Sequence, residues 1–159
     1  MKRRTAIKQL FILAGGIAIA TACDSGRNKA SIALSNVDFT KDDEELLAQL
    51  VESIIPETDS PGARSLKLHL FVMKMVDDCH SSEDQQAFIE GLKKSKTIKG
   101  KPLAEVQNYL TSLEKEDKFL DILKRRTLMG YQNSEYVMKN KVIYELVPGR
   151  YDGAVKISS

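Results

Sequence analysis

The chain has 159 residues, of which 42% are hydrophobic and 29% are charged, values ordinary for one globular domain. Its formal net charge of +2 is unevenly spread, because residues 1–22 contain four basic residues and no acidic residue. Removing those four from the 24 basic residues leaves 20, against 22 acidic residues, so the remainder has a net charge of −2. The composition therefore gives no electrostatic reason to expect nucleic acid binding.

Residues 1–22 have the pattern of an export signal. A basic start is followed by an apolar run over residues 10–20 and then by small residues. This run is shorter than the roughly 20 apolar residues that span a bilayer, and it fits the apolar region of a secretory signal peptide. The pair Arg3-Arg4 resembles a twin-arginine signal, which exports proteins that have already folded. A plain Sec signal with chance arginines is the alternative.

The sequence IATAC, which ends at Cys23, resembles a bacterial lipobox. Cleavage of such a signal leaves the cysteine as a lipid-bearing N-terminus, and each buried methylene contributes about 0.8 kcal/mol of membrane affinity. We therefore expect a periplasmic protein anchored to a bacterial membrane through Cys23; an ordinary cleavage site with a chance cysteine is the alternative. The polar stretch over residues 23–38 predicts a flexible tether, followed by a helical domain over residues 39–159.

Apolar residues at helical spacing predict about five amphipathic helices. Thr40 is a candidate N-cap for the first helix, which Pro56 ends because the residue before a proline is pushed out of helical geometry. Further helices are predicted over residues 65–79, 82–95, 102–116 and 117–132. A short helical or irregular piece and an extended tail follow. The predicted fold class is all-α, a single-domain bundle with an irregular C-terminal tail.

The stretch SIIPETDSPGAR, residues 53–64, separates the first two predicted helices. Pro61 fixes φ and Gly62 accepts a positive φ, so the pair predicts a type II turn. The acids and hydroxyls of the loop also resemble the start of a calcium loop. However, an EF-hand needs a glutamate at its twelfth position, and Leu68 stands there. The turn is therefore the favoured interpretation.

No catalytic set is formed by the two histidines and Cys79, the one cysteine besides Cys23. Cys79 is expected either to be a small buried hydrophobe or to pair with a cysteine of another chain. His69 lies inside the second helix without a metal ligand three or four residues away, which favours a core or interface histidine. His80 follows a helix C-terminus, where positive charge is favourable. The sequence thus predicts no active site, no bound cofactor and no metal site in this chain.

Three ordered motifs follow one another along the chain. The first is ESIIPETDSPGARSLKLHLFVMKMVDD, with its Ile-Ile-Pro, acidic loop and Pro-Gly-Ala. The second is FLDILKRRTLMGYQNSE, and the third is the closing IYELVPGRYDG. Together they cover roughly Leu46 to Gly153, most of the chain that would follow the signal. In this order and spacing the three motifs resemble the gluconate 2-dehydrogenase subunit 3 family.

This resemblance implies an accessory role. Small subunits of this family associate with a large flavoprotein of the glucose–methanol–choline type, which oxidises a sugar or a sugar acid. FAD is therefore expected in the partner subunit and not in this chain, and many such assemblies also contain a cytochrome c subunit. The resemblance further implies that the small subunit carries its folded partner through the twin-arginine route.

A partner surface is predicted where the motifs combine rigid turns with arginine or aromatic residues. The candidate interface residues are Pro61, Gly62, Arg126, Gly130, Tyr131, Pro148, Gly149 and Tyr151. The alternative is that the three motifs pack on one another and shape the fold. The alternative function is a stand-alone periplasmic lipoprotein that binds another protein or a small ligand.

Overall fold

The computed structural model describes residues 28–142 and Ala154, and within them the chain is built from α-helices. The helices are α1 (Lys41–Ile54), α2 (Leu68–Cys79), α3 (Ser82–Lys94), α4 (Leu103–Ser112), α5 (Lys118–Gln132) and α6 (Glu135–Asn140). A 3₁₀ turn, Ser95–Ile98, follows α3. The prediction of an all-α bundle is confirmed. No helix in this part of the chain is long and apolar enough to cross a membrane.

Side-chain caps define where most of the helices begin. The Thr40 hydroxyl accepts the backbone N–H of Asp43, and the Asp43 carboxylate accepts the N–H of Thr40, so α1 starts with a reciprocal capping box. Ser81, Asp117 and Ser134 cap α3, α5 and α6 through their side-chain oxygens. The first helix ends at Ile54, as the proline two residues later predicts.

Helix α5 lies at the centre of the bundle and packs on α2, α3 and α1, while α4 packs on α1. A row of phenylalanines joins three parts of the core. The ring of Phe88 lies 6.3 Å from that of Phe39 and 5.2 Å from that of Phe119, between centroids. Gly91 on α3 permits this approach, because a Cβ there would collide with Phe119. The buried apolar residues form one continuous core, as expected for a single domain.

The segment before α1 packs on the bundle. The prediction of a flexible tether over residues 23–38 is therefore wrong for its described part, residues 28–38. Val37 is buried there, as is Phe39 just before α1. The backbone N–H of Ala30 donates to the carbonyl of Phe39 at 3.0 Å, which folds the segment back on itself.

A buried carboxylate on α2 holds this segment in place. Asp77 accepts three backbone N–H groups, from Ser35, Asn36 and Val37, at 2.9, 2.6 and 2.9 Å. Burial by itself raises the pKa of Asp77, but these donors and the nearby Lys74 ammonium outweigh it. They lower the pKa from its usual 3.8 to about 2. Asp77 is therefore ionised at neutral pH and binds the incoming chain through charge-assisted hydrogen bonds.

Two helix boundaries differ from the prediction by three residues or more. Helix α2 begins at Leu68 rather than at position 65, because successive turns precede it and Lys67 adopts a left-handed conformation with φ of 55°. Helix α4 ends at Ser112 rather than at position 116. The Ser112 hydroxyl donates to the carbonyl of Tyr109 at 2.7 Å, and the next residue is extended.

Candidate partner-binding surface

The loop between α1 and α2 is closed by one carboxylate. Glu52 accepts the backbone N–H of Glu57 at 2.9 Å and that of Arg64 at 2.7 Å, so it binds both sides of the loop. Gly62 lies against this carboxylate, and a Cβ there would also lie 2.7 Å from the Glu57 nitrogen. Gly100 is the described glycine with a positive φ, so the reason predicted for Gly62 is wrong. Close approach, and not a left-handed turn, requires glycine at this position.

The acidic and hydroxyl groups of the loop bond to one another. Glu57 accepts a hydrogen bond from the Ser65 hydroxyl at 2.8 Å, and Asp59 accepts one from the Thr58 hydroxyl at 3.0 Å. Across residues 28–142 and Ala154, no group of three or more His, Cys, Asp or Glu side chains could hold a metal ion. Hydrogen bonds that stabilise the loop therefore explain why polar side chains occur in it, without a bound ligand.

The C-terminal half of α5 lies against this loop. The Tyr131 hydroxyl donates to the Ser60 hydroxyl at 3.5 Å, a long contact. Gly130 faces α2, where a Cβ would lie 2.8 Å from the Phe71 ring. The structure therefore brings two of the predicted motifs together. Where these motifs meet, the candidate residues Pro61, Gly62, Gly130 and Tyr131 are buried or half-buried. This is the packing that the alternative interpretation expects, and a partner role for these four residues stays a prediction.

Arg126 lies one helical turn before Gly130 on α5 and contacts a histidine. Its Nε–H donates to Nε2 of His80 at 3.0 Å, and its Nη1 lies 3.4 Å from the sulfur of Met129. In this arrangement Nε2 of the imidazole is the acceptor, and its Nδ1 lies 3.8 Å from a carboxylate oxygen of Asp84. Sequence reasoning missed this pair, since 46 residues separate its members and no local pattern links them. The remaining candidates, Pro148, Gly149 and Tyr151, lie outside the described residues.

His69 and Cys79 both sit on α2, in different surroundings. His69 is half-buried, its Nδ1 is buried without a hydrogen-bond partner, and burial lowers the pKa of His69. A neutral packed imidazole agrees with the expected core or interface histidine. Cys79 is exposed, with its sulfur 4.0 Å from that of Met75. The prediction of a buried cysteine is therefore wrong, because the last turn of α2 faces outward at this position.

The described fold is a small all-α domain whose polar side chains serve mainly in helix caps, loop closure and ion pairs. The family model for gluconate 2-dehydrogenase subunit 3 matches residues 41–149. The match spans more than half of the chain, which therefore belongs to the gluconate 2-dehydrogenase subunit 3 family. Membership indicates a small subunit of a multi-subunit gluconate dehydrogenase complex. Comparisons with curated proteins and with solved structures gave no match.

Proposed function

We propose that this chain is the non-catalytic small subunit of a periplasmic, membrane-associated dehydrogenase that oxidises a sugar or a sugar acid. The catalytic partner is a large FAD-dependent subunit of the glucose–methanol–choline type, and a cytochrome c subunit is a further candidate member of the complex. The family match over residues 41–149 carries this proposal. The small subunit aids export, assembly and anchoring of the large one.

The contacts of the reactive side chains support an accessory role. The Asp77 carboxylate is occupied by backbone N–H groups. The His80 Nε2 acceptor is occupied by Arg126. The buried Thr127 hydroxyl donates to the carbonyl of Leu123 at 2.7 Å. Each of these three groups is held by a structural hydrogen bond, and none of the three is paired with another as a nucleophile with its general base.

Export and anchoring are proposed from the first 23 residues, which lie outside the described part of the chain. The pair Arg3-Arg4 suits a route that carries a folded, FAD-loaded partner, and lipid on Cys23 would hold the complex at the membrane. Because residues 28–38 pack against the bundle, we expect only a short stretch of chain between the lipid on Cys23 and the helical domain.

Purification of the full-length tagged chain from membranes of its own host tests the proposal. We expect a large protein to co-purify with it, bringing bound FAD and sugar-acid dehydrogenase activity. A strain that lacks the chain should retain the flavoprotein in the cytoplasm. The proposal fails if the chain alone oxidises the substrate or binds FAD. It fails equally if the flavoprotein reaches the periplasm, active and membrane-bound, without the chain.

A further inference from the structure

Arg126 is a half-buried arginine without a carboxylate partner in the part of the chain that the structure describes. Its contacts are to His80 Nε2 and to the Met129 sulfur, neither of which carries a negative charge. The neighbouring Arg125, by contrast, donates to the Asp121 carboxylate at 2.7 Å. A guanidinium has five N–H donors and binds a carboxylate through two of them. Since Nε is already committed to the imidazole, the Nη groups remain for an acidic ligand.

The surface beside Arg126 is apolar and rich in sulfur. Phe71, Met75 and Cys79 recur every four residues along α2, so they form one line of half-buried or exposed side chains. On α5, Met129 is 41% exposed. Gly130 allows Phe71 to approach α5 closely, which joins the two helices into one surface. The name α2–α5 face is used below for Phe71, Met75, Cys79, Arg126 and Met129.

The charge around Arg126 favours an acidic ligand. A cavity of about 420 Å³ opens next to the guanidinium. It is lined by four basic side chains, Lys115, Lys118, Arg125 and Arg126. It is also lined by three acidic side chains, Asp84, Glu116 and Asp121, which is one fewer than the basic side chains, so the lining has an excess positive charge. A small free acid would neutralise that charge but leave the apolar residues of the α2–α5 face uncovered.

We infer that the α2–α5 face is the surface that docks the large dehydrogenase subunit, and that this subunit presents an Asp or Glu side chain to Arg126. Apolar side chains of the partner then cover Phe71, Met75 and Met129. Arginine, methionine and aromatic residues are enriched at the centre of protein interfaces, and methionine adapts its shape to a partner. His80 acts as a positioning residue because it holds Nε of the guanidinium. This inference rests on the proposed function.

Binding of the purified flavoprotein to variants of the full-length chain tests the inference. Arg126→Glu should weaken binding at least about 100-fold, since it puts two carboxylates together in the interface. Lys124→Glu makes the same charge change two residues away, about 200° around the helix, and should leave the affinity unchanged within about twofold. Met129→Ala should weaken binding several-fold. Circular dichroism checks the folding of each variant, and Arg126→Gln replaces Arg126→Glu if the latter fails to fold.

A charge exchange identifies the partner residue. Replacing the correct Asp or Glu of the large subunit by Arg should restore binding to Arg126→Glu and weaken binding to the unmodified chain. If the unmodified chain binds the flavoprotein and Arg126→Glu binds equally well, the docking surface lies elsewhere and the proposed function still stands. If the unmodified chain does not bind the flavoprotein, the proposed function itself fails. If Arg126→Glu disrupts only self-association of the chain, the face binds a second copy and the inference is wrong.

Discussion

Replacing Asp77 by Asn tests whether a buried carboxylate holds the segment before α1. Asn matches Asp in size, but one of its two oxygens becomes an NH₂ group. That group would face either the N–H of Ser35 or the N–H groups of Asn36 and Val37, so at least one donor loses its acceptor. The fall of the Asp77 pKa from 3.8 to about 2 corresponds to about 2 kcal/mol of stability at neutral pH. Unpaired buried donors add to this loss, so we expect Asp77→Asn to lower the free energy of unfolding by about 2–3 kcal/mol.

Urea unfolding of the full-length chain in mild detergent, followed by far-UV circular dichroism, measures this difference. Asp78→Asn is the matched control, because Asp78 is 46% exposed and pairs with Lys74 at the surface. The control should change the free energy of unfolding by less than about 0.5 kcal/mol. Equal values for the two variants would refute the role given to Asp77.

The same carboxylate makes stability depend on pH. Its pKa is lower in the folded chain than in the unfolded chain, so the stabilisation is fully present above about pH 5. It is lost as the pH falls through 4 towards 2, where Asp77 becomes protonated. The unmodified chain should therefore lose about 2 kcal/mol more than Asp77→Asn over this pH range, and parallel losses in the two proteins would contradict the assignment.

Three further variants test the loop and the export signal. Gly62→Ala should lower the free energy of unfolding, measured with urea, by about 1–3 kcal/mol, because a Cβ there collides with the Glu52 carboxylate. An unchanged free energy of unfolding would show that the loop adjusts to the added methyl group without cost. Cys23→Ala should abolish labelling by radioactive palmitate and release the chain from washed membranes, whereas continued labelling would exclude this cysteine as the lipid site. Replacing Arg3 and Arg4 by Lys should block twin-arginine export in cell fractionation, and normal periplasmic delivery would favour the Sec alternative.

Helices and their starts could be predicted from the sequence because their causes are local. Apolar residues every three or four positions marked the faces that became the core. The cap at Thr40 was identified from the residue itself, and its reciprocal partner Asp43 lies three positions away. The end of α1 followed from Pro56 in the same way. A window of a few residues contains everything that these features require.

Contacts between distant residues could not be predicted in this way. The tether prediction was wrong for residues 28–38 because the acceptor that orders them, Asp77, lies about 40 residues further along the chain. The requirement for glycine at position 62 depends on where the Glu52 side chain ends up, ten residues earlier. The pairing of Arg126 with His80 depends on the packing of α5 on α2. Each of these features exists only once the helices have assembled.

Two carboxylates fix α2 within the bundle. One binds the loop before its first residue, and the other lies in its last turn. Glu52 binds the loop that leads into α2, and Asp77 binds the segment before α1 to the last turn of α2. Because α2 carries Phe71, Met75 and Cys79, we expect the backbone beneath these residues to be ordered before a partner arrives, so that little backbone conformational entropy is lost on binding.

The contacts that hold the segment before α1 also limit how far the helical domain can lie from a lipid anchor on Cys23. Four residues lie between Cys23 and Asn28, and the five Cα–Cα steps of a fully extended chain span at most about 18 Å there. From Asn28 onward the chain is held, first by a backbone hydrogen bond with Lys41 and then by Asp77. Lipid on Cys23 would therefore hold Asn28, and the helical domain to which the segment is bound, close to the membrane surface.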